Sequence, residues 1–116
     1  MRHGMSFERG DIVFMPFPFS DFSKFKNRPV LVITTPDVYG DFIAMALTSQ
    51  DHHIHSLPIA IEDYVSLPLP KSTWIRTDKI FTFNDSLVTK IIGKVNKMMV
   101  TRSIESLCEN VGKKIM

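Results

Sequence analysis

The chain has 116 residues, 44% of them hydrophobic and 22% charged, and its formal net charge is +2. This length fits one domain with a modest core, so we expect a single domain over residues 1–116. No segment is apolar enough over about 20 residues to span a membrane, and the single cysteine, Cys108, excludes an internal disulfide. These features predict a cytoplasmic protein, and the slight positive charge is compatible with a polyanionic partner without identifying one.

The first half of the chain is predicted to be mostly strands. Residues 9–17 (RGDIVFMPF) begin with turn-forming residues and continue as a strand that Pro16 ends. A polar loop containing aromatic residues follows at 19–27. The β-branched run at 28–35 is typical of a central strand, and residues 41–49 alternate as the next strand.

The second half continues with shorter elements. Residues 50–58 (QDHHIHSLP) form a predicted loop, and residues 63–72 a predicted irregular connection or single helical turn. The predicted strands of this half cover 58–62, 72–83 and 87–95. Together with the first half, they predict a small, strongly bent antiparallel β-barrel.

The C-terminal segment is predicted to be a helix. From Asn96 the apolar residues recur at helical spacing, which predicts an amphipathic helix over 97–112. Asn96 is suited to cap its start, and Gly112 is a typical stop signal. Cys108 falls on the apolar side of the pattern, so we expect it to pack against the sheet. The predicted fold class is therefore mainly β with a C-terminal α-helix.

The predicted strand at 72–83 (STWIRTDKIFTF) carries charges among residues that suit a packed sheet. Side chains alternate along a strand, so Arg76 and Asp78 should share one face, with Cα atoms about 7 Å apart. Trp74 and Ile80 should flank them on that face. The arrangement predicts either a structural ion pair or a small acid/base site.

A histidine-rich loop is the one candidate for a metal site. His52, His53 and His55 are spaced in a way that can suit zinc, and Asp51 is adjacent. No cysteine or distant histidine pair completes a ligand set, so the sequence favours a solvated loop and no metal.

Three polar points fall at the ends of apolar runs. They are Arg28 before Pro29, the pair Thr48 and Ser49, and the Arg76–Asp78 pair. A lone arginine beside a strand is more often a surface residue than a phosphate ligand. Strand ends of a small barrel can converge on one mouth, however, so three such points favour a shared site.

Five segments in this order resemble the MazF/PemK toxin family. They are RGDIVFMPFPFSD, NRPVLVIT, ALTSQ, IRTDKI and, before a final helix, IIGKV. The resemblance runs from about Glu8 to the last helix. It implies an SH3-like barrel with a C-terminal helix, which dimerises to form a groove for single-stranded RNA. Members of the family are endoribonuclease toxins of bacterial type II toxin–antitoxin systems.

The resemblance also implies roles for residues of this chain. Asp78 would be the base that takes a proton from a ribose 2′-OH, and Arg76 the acid or the group that stabilises the transition state. Arg28 would hold the phosphate, and Thr48 and Ser49 would donate hydrogen bonds to it. The family's chemistry uses no metal or other cofactor. An antitoxin would be the protein partner, with DNA contacted only indirectly through it.

Three lysines are further candidates for binding the substrate. Lys24 and Lys26 lie in the loop at 19–27, which lacks the glycine and glutamate of many family members, and Lys79 stands where many have glutamine. Lysines there would attract an RNA backbone. Two alternatives remain open from the sequence: a catalytically silent barrel that binds RNA or a protein, and a toxin that acts on a protein target such as gyrase.

Overall fold

The computed structural model describes residues 6–18 and 25–115, which form a mainly β domain with one long helix. The strands are β1 (Asp11–Pro18), β2 (Phe25–Val32), β3 (Asp41–Thr48), β4 (Ser56–Pro58), β5 (Trp74–Asn84) and β6 (Lys90–Lys94). Short 3-10 turns cover Ile61–Asp63 and Asp85–Leu87, and helix α1 covers Lys97–Ile115. The predicted fold class is confirmed.

All neighbouring strands are antiparallel, in the order β4-β5-β3-β2-β1-β6, and the sheet curls into a half-barrel. The segment after the first 3-10 turn reaches across the gap between the two edge strands. There Tyr64 forms an isolated bridge with Val95, and the N–H of Val65 donates to the carbonyl of Lys94 at 2.9 Å. The β4 end of the sheet is thereby tied to the β6 end.

The two faces of the sheet carry separate apolar clusters. The helix face packs against α1, and its buried residues include Leu31, Met45, Ile75 and the helix residue Met99. The other face, which we call the opposite face, is covered in part by Phe7. Its buried residues include Val30, Val32, Phe42 and Ala44. This division fixes the direction of the side chains where the central strands are regular, because a residue that alternates with a helix-face residue must belong to the opposite face.

Helix α1 begins as predicted, and its packed face differs from the prediction. The side chain of Asn96 accepts a hydrogen bond from the N–H of Met99 at 2.9 Å, which confirms the cap. Val100 and Ser103 are buried, whereas Cys108 is exposed, so the expectation that Cys108 packs against the sheet is wrong. The helix also continues through Gly112 to Ile115.

Several strand boundaries also differ from the predictions, among them the end of β2 at Val32 and the start of β6 at Lys90. Pro16 does not end β1, which continues to Pro18, because β6 pairs with β1 only as far as Phe14. Beyond that point the side of β1 facing β6 has no ladder, so a proline without an N–H is tolerated. Strand β2 starts at Phe25, three residues before its predicted start, because residues 25–27 also pair with β1. The predicted strand at 58–62 is instead β4 followed by the first 3-10 turn.

Candidate active site

Strand β5 contains a wide bulge that decides which way its charged residues point. Ile75 and Ile80 pair with β3 residues only two apart, so residues 76–79 stand opposite Ala46 alone. Ile80 pairs with Met45 and so shares the helix face. The expectation that Ile80 flanks the charged pair is therefore wrong, because the bulge changes the alternation that a regular strand would have.

Arg76 and Asp78 lie on the opposite face, away from the helix. Ile75 is buried on the helix face, and the hydroxyl of Thr77 is 2.9 Å from the Ser106 hydroxyl of α1. The two charged residues alternate with these and so project from the other side. This confirms that Arg76 and Asp78 share a face.

The two charged side chains meet in a loose contact. Arg76 Nη2 donates to Asp78 Oδ2 at 3.4 Å, and the side chains are 22% and 26% exposed. Arg76 Nε and Asp78 Oδ1 are buried, and neither has a hydrogen-bond partner in the described part of the chain. A buried polar atom without a partner costs roughly 1–3 kcal/mol. A pair kept only for stability would satisfy these atoms, so the geometry favours a site that a ligand completes.

Arg28 and Thr48 reach the same face from the two neighbouring strands. Thr48 pairs directly with Trp74 of β5. Arg28 alternates with Val30 and Val32, which belong to the cluster of the opposite face. Because β2 lies two strands from β5, its backbone is about 10 Å away. The structure therefore brings Arg28, Thr48 and the Arg76–Asp78 pair onto one surface, as the convergence argument predicted.

Small side chains form the floor between the two arginines. The β3 residues of the opposite face at this level are Ala46 and Thr48, both half-buried, and they separate Arg28 on β2 from Arg76 on β5. We call this surface, with a guanidinium on each side, the trough. A trough of this kind suits an extended chain of phosphates, since each guanidinium offers several donors to phosphate oxygens.

The hydroxyl of Thr48 is held in place by a local turn. Its Oγ1 accepts the N–H of Gln50 at 3.1 Å, so its own proton remains available for an acceptor at the end of the trough. Ser49 is exposed just beyond the strand, where alternation directs its side chain away from Thr48. The Thr48 hydroxyl is thus placed to donate to a phosphate in the trough, whereas Ser49 lies beyond the end of β3.

Two of the three candidate lysines fall within the described residues, and both are exposed. Lys26 is exposed on β2, two residues before Arg28 and on the same face by alternation. Lys79 is exposed in the β5 bulge directly after Asp78. Lys24 lies outside the described residues. Two exposed cations thus border the trough, one on each side.

Phe81 provides an aromatic surface beside the pair. It pairs with Ala44, which places it on the opposite face, and its side chain is 36% exposed. Its ring contacts Phe17 edge-on, with ring centroids 5.0 Å apart. A partly exposed ring three residues from Asp78 is placed to stack on a base.

His53, which the sequence suggested only as a metal ligand, lies in the loop between β3 and β4. The loop before β4 lies beside the bulge, because Ser56 pairs with Arg76. Partial removal from water, and then the positive charge of Arg76, lower the pKa of His53 below its usual 6.5, whereas the carboxylate of Asp78 raises it. The imidazole thus lies within the electrostatic field of the charged pair. The three-histidine motif was the only sequence signal, and it suggested a solvated loop.

Within residues 6–18 and 25–115, no group of three or more His, Cys, Asp or Glu side chains is arranged to hold a metal ion. No helix of that same part of the chain is long and apolar enough to cross a membrane. The groups present are two guanidiniums, a carboxylate, a hydroxyl and an imidazole. They can bind a phosphodiester and transfer protons next to it.

Solved structures with this fold cover almost the whole chain. An endoribonuclease from a mycobacterial species superposes with a TM-score of 0.69 at 16% identity, covering 96% of each chain. MazF in a MazE–MazF complex from Deinococcus radiodurans gives a TM-score of 0.71 at 16% identity, over 93% of this chain and 97% of that one. At such low identity the likeness establishes the fold.

A third structure of the same fold is a mycobacterial endoribonuclease in complex with its cognate antitoxin. It matches with a TM-score of 0.64 at 16% identity, over 90% of this chain and 94% of that one.

No curated protein sequence matches the chain. The model of one protein family does match, over residues 8–110, which is most of the chain. The chain therefore belongs to the family of PemK-like, MazF-like toxins of type II toxin–antitoxin systems.

Proposed function

We propose that this protein is an endoribonuclease toxin that cleaves single-stranded RNA by attack of a ribose 2′-OH on the adjacent phosphate. The observation that supports this most is the incomplete Arg76–Asp78 pair. It leaves one donor, Arg76 Nε, and one acceptor, Asp78 Oδ1, without partners in the described part of the chain. A phosphodiester with its neighbouring 2′-OH offers the complementary acceptor and donor.

In this mechanism Asp78 acts as the base. Its carboxylate takes the proton of the 2′-OH, the 2′-oxygen forms a bond to phosphorus, and the bond from phosphorus to the 5′-oxygen breaks. The products carry a 2′,3′-cyclic phosphate and a 5′-OH. A carboxylate is a weak base at neutral pH, so the reaction depends on stabilising the charge that develops on the phosphorane.

Arg76 supplies that stabilisation in this proposal. A guanidinium remains charged at every physiological pH, so it acts as a hydrogen-bond donor to the phosphorane and does not act as the acid. Arg28 and the Thr48 hydroxyl hold the phosphate from the other side of the trough. Lys26 and Lys79 attract neighbouring phosphates, and Phe81 stacks on a base. Lys24 and Ser49 are additional phosphate contacts in this scheme.

The partner proposals rest on the family and on its solved structures. Two structures of this fold contain a toxin with an antitoxin, so we propose that a cognate antitoxin neutralises this protein in the cytoplasm. Contact with DNA would occur only through that antitoxin. The proposed reaction has no step that needs a metal or another cofactor.

The direct test is cleavage of a long RNA by purified protein in excess EDTA, followed by mapping of both ends at each cut. We expect cleavage to persist and to leave 2′,3′-cyclic phosphate and 5′-OH ends. Loss of cleavage in EDTA that magnesium or zinc restores would contradict the mechanism. RNA binding without cleavage would support a silent binding module, and inhibition of gyrase alone would support a protein-directed toxin.

We also propose that the protein is a homodimer. Exposed apolar side chains cluster around β6 and the segment that bridges to it. They include Ile61, Val65, Leu67 and Ile91, of which Leu67 is 84% exposed. Leu67 and Ile91 line a shared cavity of about 360 Å³. Such a surface is typical of an interface. Sedimentation at roughly 50 µM should show a dimer, and a monomer at that concentration would contradict the proposal.

A further inference from the structure

The loop between β3 and β4 is fastened to the bulge of β5 at the charged pair. Ser56 is the register partner of Arg76. Both the N–H and the hydroxyl of Thr77 donate to the carbonyl of His55, at 3.1 and 3.3 Å. The hydroxyl of Ser56 donates to the carbonyl of His53 at 2.9 Å. The backbone at His53 is thus held by hydrogen bonds that lead directly to the residues flanking Arg76.

The imidazole of His53 is partly buried in this arrangement. Its ring contacts that of His52, with centroids 4.3 Å apart and planes inclined by 35°. The charged groups that act on it are Arg76, Asp78 and Lys79 from β5, and His52 from its own loop. The reaction proposed for Arg76 and Asp78 does not yet use this titratable ring, which lies within reach of their charges.

The proposed reaction still needs a proton donor for the leaving group. The 5′-oxygen leaves as an alkoxide unless a group protonates it as the bond to phosphorus breaks. Asp78 is already assigned the role of base in the proposed reaction, and a guanidinium does not release a proton. Among side chains, imidazole is the group whose pKa best suits proton donation near neutrality.

We propose that His53 is the general acid of this reaction, an inference that rests on the proposed ribonuclease function. The protonated imidazole gives its proton to the 5′-oxygen while the bond from phosphorus to that oxygen breaks. Asp78 takes the proton of the 2′-OH while the 2′-oxygen bonds to phosphorus. One proton enters the enzyme and one leaves it, so the neutral imidazole and the protonated carboxyl then exchange protons with water to restore the starting state.

The assignment of acid and base follows from the usual order of their pKa values. A carboxyl group ordinarily titrates near pH 4 and an imidazole near 6.5. When the two groups hold one proton between them, that proton is therefore mainly on the imidazole, and the carboxyl group is ionised. With Asp78 as base and His53 as acid, the active state is the more populated of the two singly protonated forms. The reverse assignment would need a minor state at every pH.

The first experiment compares His53→Ala and His53→Gln with the matched control His52→Ala. Single-turnover cleavage by both His53 variants should fall roughly a hundredfold or more, since neither alanine nor glutamine can transfer a proton. At a pH below the alkaline limb the His52→Ala variant should stay within about threefold of wild type, because no step of the proposed reaction uses its ring. Near wild-type cleavage by folded His53→Ala would overturn the proposal.

The second experiment separates a proton donor from a residue that only positions the loop. An RNA whose 5′-bridging oxygen is replaced by sulfur has a leaving group that needs no protonation. On this substrate His53→Ala should recover to within a few-fold of wild type, whereas Asp78→Asn should remain defective. An equal defect of His53→Ala on both substrates would overturn the proposal.

The pH profile gives a third measure. The kcat/KM of the wild type should fall as pH rises through the pKa of His53, which lies below 6.5, because the acid loses its proton. This alkaline limb should be absent in His53→Ala. In His52→Ala it should move to higher pH, since the charge of His52 lowers the pKa of His53. An alkaline limb that is unchanged in His53→Ala would contradict the proposal. Absence of cleavage by the wild type would instead contradict the proposed function itself.

Discussion

The two faces of strand β5 use polar side chains in opposite ways. On the helix face Thr77 is fully buried, and its hydroxyl bonds both to the carbonyl of His55 and to the hydroxyl of Ser106. On the opposite face the neighbouring Arg76 and Asp78 are partly exposed, and each keeps a buried atom without a partner in the described part of the chain. Satisfied polar groups contribute to stability, whereas an unsatisfied buried polar group costs stability and needs another reason to be there, such as catalysis.

This difference between the two faces predicts whether a substitution should change cleavage or stability. A loose, partly exposed ion pair contributes at most about 1 kcal/mol to folding. A hundredfold loss of rate corresponds to about 2.7 kcal/mol in the transition state. Substitutions on the opposite face should therefore affect cleavage more than stability, and those on the helix face should do the reverse.

The largest effect is expected from Asp78→Asn. Removing the base should slow single-turnover cleavage by roughly a hundredfold to ten-thousandfold. The midpoint of thermal unfolding should change little, since the lost ion pair is loose. The measurement is the cleavage rate per folded molecule, with the folded fraction taken from circular dichroism. A large loss of stability with unchanged cleavage would assign Asp78 to the structure.

On the helix face, Ile75→Ala tests the other half of the comparison. Ile75 is fully buried in the cluster beneath α1, so its truncation should cost about 2–5 kcal/mol of unfolding free energy. Cleavage per folded molecule should remain close to wild type. Denaturant unfolding measures the first quantity. A hundredfold loss of cleavage in folded protein would show that the faces do not act separately.

Thr77→Val sharpens the comparison with a change of similar shape. The variant loses the hydroxyl that joins the sheet to Ser106 of the helix, which should cost about 1–2 kcal/mol. The N–H of residue 77 still donates to the carbonyl of His55, so the loop should stay in place. Thermal unfolding should show the loss. An unfolding free energy equal to that of wild type would mean that the hydroxyl pair contributes nothing.

The smallest effect is expected from Lys26→Ala. Lys26 is exposed at the border of the trough and supplies only a screened charge. RNA affinity should fall a few-fold at low salt, by roughly 1 kcal/mol or less, and the dependence of affinity on salt should become weaker. Filter binding across a salt series measures both. A slope identical to that of wild type would remove Lys26 from the substrate path.

Much of this architecture could be predicted from the sequence, because the signals are local. The alternation of residues 41–49, the cap at Asn96 and the shared face of Arg76 and Asp78 all follow from periodicity and capping chemistry. Convergence of strand ends at one mouth placed Arg28 and Thr48 near the pair. The structure confirms the cap and the shared face of the pair, and it places Arg28 and Thr48 on that same face, while their roles remain predictions.

What the sequence could not provide depends on pairing between distant segments. The bulge exists because Met45 pairs with Ile80 while the next pair joins Leu47 to Ile75, and no local pattern encodes that register. The position of His53 likewise depends on Ser56 pairing with Arg76, 20 positions later in the chain. The sequence shows the histidine motif, but it does not show that Arg76 of a distant strand lies next to that loop.

The most direct test of the central claim is single-turnover cleavage by Arg76→Ala, measured together with its thermal unfolding and its affinity for RNA. We expect cleavage to slow by roughly a hundredfold or more, while RNA binding weakens much less and stability changes by under about 1 kcal/mol. Arg76→Lys should recover only part of the rate, because an ammonium cannot form the two parallel hydrogen bonds of a guanidinium. A less stable Arg76→Ala protein that cleaves at the wild-type rate per folded molecule would contradict the claim and make the pair a structural one.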